Sequence, residues 1–100
     1  MLASYDGYKY MINDKIFFDS INAGNSEPYP IDLAIVKQYF AMFPHKNRTY
    51  IDVGAHIGTT IMPYTKMFAN IIGYEANPAN FELLKKNIEI NNINNCKIYN

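Results

Sequence analysis

The sequence contains a single cysteine, Cys96, so no internal disulfide can form and no Cys/His set of zinc-finger type can be assembled. It also lacks an excess of either charge. Nine Lys and Arg stand against nine Asp and Glu, and the balance is five to five through Tyr50 and four to four beyond it. Nothing in that distribution attracts nucleic acid or an anionic membrane, and neither is an expected partner. No apolar stretch approaches the roughly eighteen residues of a membrane span. Met1-Leu2-Ala3-Ser4-Tyr5-Asp6 lacks the basic segment and apolar run of a secretory leader. A cytoplasmic protein is therefore expected. What the chain does have is apolar matter: hydrophobic residues make up 49% of it, with nine Tyr and six Phe, which is the composition of a chain that folds. At 100 residues that means one small core.

Along the chain, Tyr8-Lys9-Tyr10-Met11-Ile12 and Lys15-Ile16-Phe17-Phe18 flank Asn13-Asp14, residues that tolerate a tight turn, and so predict a β-hairpin. Asn, Gly, Ser and Pro between Asp19 and Pro30 predict a loop. Leu33, Val36, Phe40 and Phe43, joined by Ile35 and Tyr39, fall at helical spacing and predict a helix over 31–43 that Pro44 ends. After the connector His45–Arg48, Thr49–Val53 reads as a strand and a second helix is expected to start near Gly58, with Pro63 in its first turn. Asn70–Tyr74 reads as a strand. A helix capped by Asn77, with Pro78 at its first position, carries Phe81, Leu84 and Ile88 on one face and stops near Asn91. Cys96–Tyr99 is a third strand. The order predicts a parallel α/β sheet with right-handed crossovers, divided into a hairpin, loop and helix over residues 1–48 and the first part of a ligand-binding domain over 49–100.

Ligands of open parallel sheets bind beyond the strand C-termini. Two such ends are legible. Ile51-Asp52-Val53-Gly54-Ala55-His56-Ile57-Gly58 ends in glycines that permit a tight turn and close backbone approach. Tyr74-Glu75-Ala76-Asn77 places a carboxylate 21 residues after Gly54, where a carboxylate commonly accepts both ribose hydroxyls. Asp52 separates the candidate cofactors: a pyrophosphate on the adjacent helix start would meet a like charge, whereas S-adenosylmethionine brings a sulfonium and an ammonium, and its carboxylate could use backbone N–H groups near that helix start. The G-x-G start of a dinucleotide site is missing, and no lysine follows Gly58 to make a P-loop.

Asp52-Val53-Gly54-Ala55-His56-Ile57-Gly58, followed by Glu75-Ala76-Asn77-Pro78 and Phe81-Glu82-Leu83-Leu84-Lys85-Lys86-Asn87, resembles the FkbM family of S-adenosylmethionine-dependent methyltransferases. The stretch from Tyr8 through Glu27-Pro28 resembles the family's lead-in more weakly. The resemblance implies a Rossmann-like methyltransferase fold, truncated after the third parallel strand and preceded by a β-hairpin and helix. It implies O-methylation of a sugar or other small-metabolite hydroxyl. Asp52, Gly54, Ala55, His56 and Gly58 would line the methionine end, Glu75 would hold the ribose and Ala76 would lie beside the adenine. The chain departs from the pattern at His56, where the family has Asn, and at Ala76, where it has Pro.

No general base and no metal ligand can be nominated. A catalytically inactive methyltransferase-like fragment and a nicotinamide-binding Rossmann oxidoreductase are the alternatives. Glu27 is read as a surface loop acid rather than a cofactor lid, Tyr5, Tyr8 and Tyr10 as packing, Tyr39, Phe40 and Phe43 as core, and Lys85-Lys86 as a solvated helix face.

Overall fold

A two-residue turn joins the first two strands. In the computed structural model, which describes residues 1–24, 35, 38–43 and 46–100, strands β1 (Leu2–Tyr5) and β2 (Tyr8–Met11) pair antiparallel with Tyr5 opposite Tyr8. Asp6 and Gly7 join them at φ of 50° and 81°. Two successive left-handed residues give the turn whose twist matches a hairpin, and Asp-Gly is a pair that tolerates it. The hairpin expected around Asn13-Asp14 is thereby corrected. Tyr8–Met11 is a strand, but its partner precedes it.

Lys15–Asn22 forms helix α1 in place of the expected second strand. Asp14 is the reason: its side chain accepts the Phe17 N–H at 2.8 Å, an N-cap rather than a turn contact. Phe17, Phe18 and Ile21 then fall on one face against Ala3, Tyr8, Tyr10 and Ile12. Asp19–Asn22 therefore belongs to α1 and not to the expected loop, and Ala23-Gly24 form a turn after it, Gly24 at φ 87°. Glu27-Pro28, the first part of the helix expected over 31–43, Pro44 and His45 lie outside the described residues. Residues 38–42 are helical (α2). In the expected aromatic stripe, Phe40 packs on Tyr64 and Phe68 with ring centroids 5.3 and 5.1 Å away, whereas Tyr39 and Phe43 remain about half exposed and are not core.

The second half follows the expected order: β3 (Thr49–Val53), α3 (Ile61–Tyr64), β4 (Asn70–Tyr74), α4 (Pro78–Ile90) and β5 (Cys96–Tyr99). The three strands are parallel in the order β3-β4-β5, with Asp52 beside Gly73 and Val53 beside Tyr74. The two-residue period of the strands sends Tyr50, Ile71, Cys96 and Ile98 into a core with Ala55, Ile61, Tyr64, Phe68 and Leu84. The other face presents Ile51 and Val53, 59% and 82% exposed, and the stacked rings of Tyr74 and Tyr99. α3 is short, and Pro63 falls within its first turn, where proline is tolerated.

α4 starts where its cap dictates. The Asn77 side chain accepts from Ala79 N–H at 2.9 Å and Asn80 N–H at 3.2 Å, with Pro78 following. Replacing Asn77 by Ala is expected to cost about 1 kcal/mol. In urea denaturation this appears as a lower midpoint with an unchanged slope; an unchanged midpoint would show that the cap contributes nothing.

Candidate functional site

The site is built where β3 and β4 end side by side. Past Val53 the chain turns over the end of β4: Gly54 N–H and Ala55 N–H both donate to the Tyr74 carbonyl, at 2.8 and 2.9 Å. Gly54 makes this turn at φ 85°, and a Cβ there would meet nothing within 4 Å, so the outer side of the loop is open. Ala55 points the other way, 2% exposed in the core of the sheet. Gly58 is also turned inward, where a Cβ would lie 3.0 Å from Leu84 Cδ1 and 3.0 Å from Met62 Cε. Ala55 and Gly58 therefore offer a ligand backbone at most.

His56 sits at φ 53°, a left-handed conformation that costs a side-chain-bearing residue about 1–2 kcal/mol. Glu75 holds it there. Glu75 is 8% exposed; its Oε2 accepts His56 N–H at 2.7 Å and its Oε1 accepts Asn77 N–H at 2.8 Å. Such bonds to an ionised acceptor are among the strong ones. Glu75 thus ties the glycine loop to the loop after β4, and each oxygen keeps a further lone pair for another donor. Ala76, next in the chain, is exposed.

Asp52 lies on the covered face of β3, and its Oδ2 is buried. Its charge is felt by its neighbours. The Tyr50 phenol is pushed well above its ordinary range and the Tyr64 phenol is also raised, in each case first by burial and then by the Asp52 anion. Burial, with Asp52 as a lesser cause, raises the Cys96 thiol to about 11, which keeps it protonated and unreactive near neutral pH. Asp52 and Glu75 both put negative charge at these strand ends, which favours a cation.

The backbone donors complete the picture. The N–H groups of Gly54, Ala55, His56 and Gly58 are all engaged within the protein, the last with the Ala55 carbonyl at 2.9 Å. α3 has four residues and only a weak dipole to offer. A pyrophosphate would find these four donors already bonded and a carboxylate nearby. The expected use of backbone N–H groups for a methionine carboxylate is narrowed by the same bonds. For the sulfonium, ammonium and ribose of S-adenosylmethionine, Asp52, the open side of Gly54 and the spare lone pairs of Glu75 are of the right chemistry.

The structure brings Asp52, Gly54 and Glu75 to adjacent strand ends. The His56 imidazole goes elsewhere. It meets the Phe17 ring edge to face at 5.2 Å and lines a cleft of about 530 Å³ with Asn13, Asp14, Ile16, Phe17, Ser20 and Asn80. Asp52, Gly54 and Glu75 do not line this cleft. His56 belongs to both places, its N–H bonded at the strand ends and its ring in the cleft. The sequence signal for α1 as a wall beside His56 was the Asp14 cap followed by Phe17. Among the described residues no group of three or more His, Cys, Asp and Glu could hold a metal ion, and no helix is long and apolar enough to cross a membrane.

The chain has the Rossmann-like fold of S-adenosylmethionine-dependent methyltransferases. It resembles TYW2 of P. horikoshii, solved in complex with MeSAdo, at a TM-score of 0.73 and 23% identity over 100% of this chain and 35% of that one. TYW2 of M. jannaschii, solved with AdoMet, matches at 0.65 and 17% identity over 98% of this chain and 41% of that one. The Pyrococcus abyssi tRNA (uracil-54, C5)-methyltransferase, solved with S-adenosyl-L-homocysteine, matches at 0.65 and 21% over 100% of this chain and 24% of that one. The chain thus spans about a quarter to two fifths of the length of these structures. No protein-family model and no curated protein matches it.

Proposed function

We propose that the chain binds S-adenosylmethionine at the ends of β3 and β4 and belongs to a methyltransferase. The observation that carries this reading is the charge arrangement at the strand ends. A carboxylate, Asp52, stands beside a glycine turn whose Gly54, Ala55, His56 and Gly58 amides are already bonded, and a second carboxylate, Glu75, is fixed one strand later. That arrangement suits a cationic nucleoside and opposes a pyrophosphate, which disfavours the nicotinamide reading. The neighbours solved with AdoMet, MeSAdo and S-adenosyl-L-homocysteine support the same cofactor.

In this reading Asp52 attracts the ammonium and sulfonium end, Gly54 lets the ligand approach the backbone, Glu75 accepts the ribose hydroxyls and Ala76 flanks the adenine. The bound cofactor supplies an electrophilic methyl group. The protein's own part is to hold it so that acceptor, methyl and sulfur lie in line. By the FkbM resemblance the acceptor is a hydroxyl of a sugar or small metabolite. Even charge balance supports a small acceptor over nucleic acid, although a tRNA methyltransferase is among the structural neighbours.

Calorimetric titration with S-adenosylmethionine, S-adenosylhomocysteine and NAD tests the cofactor. Saturable binding of the first two with none of NAD is expected; binding of NAD alone, or of none of the three, would overturn the reading. Methyl transfer from labelled cofactor to sugars and to tRNA then separates the acceptors, with label on tRNA alone contradicting the small-hydroxyl assignment.

A further inference from the structure

A buried side chain with three hydrogen bonds belongs to neither strand end. Asn87, on α4, is fully buried, and it uses its whole amide. Oδ1 accepts the Met11 N–H at 2.6 Å, while Nδ2 donates to the Ile57 carbonyl at 2.9 Å and the Met11 carbonyl at 3.3 Å. One turn later Asn91 repeats the pattern on β2: Oδ1 accepts Lys9 N–H at 2.8 Å and Nδ2 donates to the Lys9 carbonyl at 2.7 Å. Residues four apart on a helix and two apart on a strand have similar spacing, so two asparagines close the outer edge of β2 as a strand would.

Asn87 differs from Asn91 in its third bond. Ile57 lies in the glycine loop, between His56 and Gly58, and its side chain is buried among Ala3, Tyr8, Tyr10 and Ile12 of the hairpin region. The loop is therefore gripped twice from the same side: by the hairpin core through the Ile57 side chain, and by Asn87 through the Ile57 carbonyl. On the other side Glu75 holds His56 N–H. The left-handed His56, at φ 53°, lies between these anchors.

We infer that Asn87 is a positioning residue for the cofactor loop, coupling the docked N-terminal hairpin to cofactor affinity through the Ile57 carbonyl. The inference rests on the reading that this loop holds S-adenosylmethionine. It assigns Asn91 a different job, hairpin docking alone.

The test compares three variants with the wild-type chain by amide hydrogen exchange at His56 and Gly58 and by calorimetry with S-adenosylhomocysteine. Asn87→Asp keeps an acceptor for Met11 N–H but loses the amide donors to the two carbonyls; Asn87→Ser removes the bonds without adding charge. Either is expected to speed exchange at His56 and Gly58, and to weaken ligand binding, by roughly tenfold. Asn91→Ala is expected to speed exchange at Lys9 and to lower the melting temperature while leaving His56, Gly58 and the affinity within about twofold. If both folded Asn87 variants exchange like wild type at His56 and Gly58, or if Asn91→Ala moves those amides as much as they do, the coupling is refuted. Should Asn87→Asp not fold, Asn87→Ser decides. Wild-type protein that binds no ligand would defeat the cofactor reading and the affinity half of this inference together, while the exchange comparison would still decide whether Asn87 holds the loop.

Discussion

Glu75→Gln is expected to weaken binding of S-adenosylhomocysteine by one to two orders of magnitude and to cost the fold about 1–3 kcal/mol, because a buried donor is left facing the wrong group. The wild-type carboxylate accepts from two backbone N–H groups, those of His56 and Asn77. An amide has one acceptor oxygen, so one of these N–H groups would face an NH2. Glu75→Ala orphans both and is expected to cost more, about 2–4 kcal/mol. Glu75→Asp keeps the charge but is one methylene too short to reach both loops. Urea denaturation measures the stability and calorimetry the affinity. A glutamine variant as stable as wild type would show that Glu75 does not brace the loops; unaltered affinity would remove it from the site.

The two glycines of the loop are expected to fail in opposite ways. Gly58→Ala meets a left-handed backbone at φ 98° and two core contacts at 3.0 Å, with Leu84 and Met62, both fully buried. The backbone term is about 1–2 kcal/mol and overpacking adds about 1–3 kcal/mol. Gly58→Ala should therefore unfold early in a melt. Gly54→Ala meets the backbone term alone, since its Cβ would point into open space. That open space is where the ligand is placed, so this variant should remain folded and bind poorly. Equal melting temperatures for the two would contradict the packing assigned to Gly58. Normal affinity in Gly54→Ala would contradict the open side as the binding side.

These two glycines also mark how far the sequence could be read. Their presence in a strand-end turn was plain from Asp52-Val53-Gly54-Ala55-His56-Ile57-Gly58, but their division of labour was not, because it depends on which side of the loop α4 packs. The strands from Thr49 onward and the helix opened by Asn77-Pro78 were legible, since strand composition and cap chemistry agreed there. The N-terminal segment was misread because Asn13-Asp14 has two local meanings. Asp14 serves as an N-cap, and the hairpin turn is instead Asp6-Gly7, preceded by a strand of only four residues. Asp52 and Glu75 were legible as carboxylates at strand ends. That Glu75 braces His56, and that Asn87 ties Ile57 to Met11, required the third dimension: both are bonds between side chain and backbone across 19 to 76 residues, for which no local pattern exists.

The central claim is that Asp52, Gly54 and Glu75 form one cofactor site. Backbone amide shifts recorded during a titration with S-adenosylhomocysteine test it most directly. Saturable shifts concentrated at Asp52, Gly54, Glu75 and Ala76 are expected, with little change along β1 and β5. Saturable shifts confined to the α1 cleft around Phe17 and Ser20, or none at the two strand ends, would contradict it.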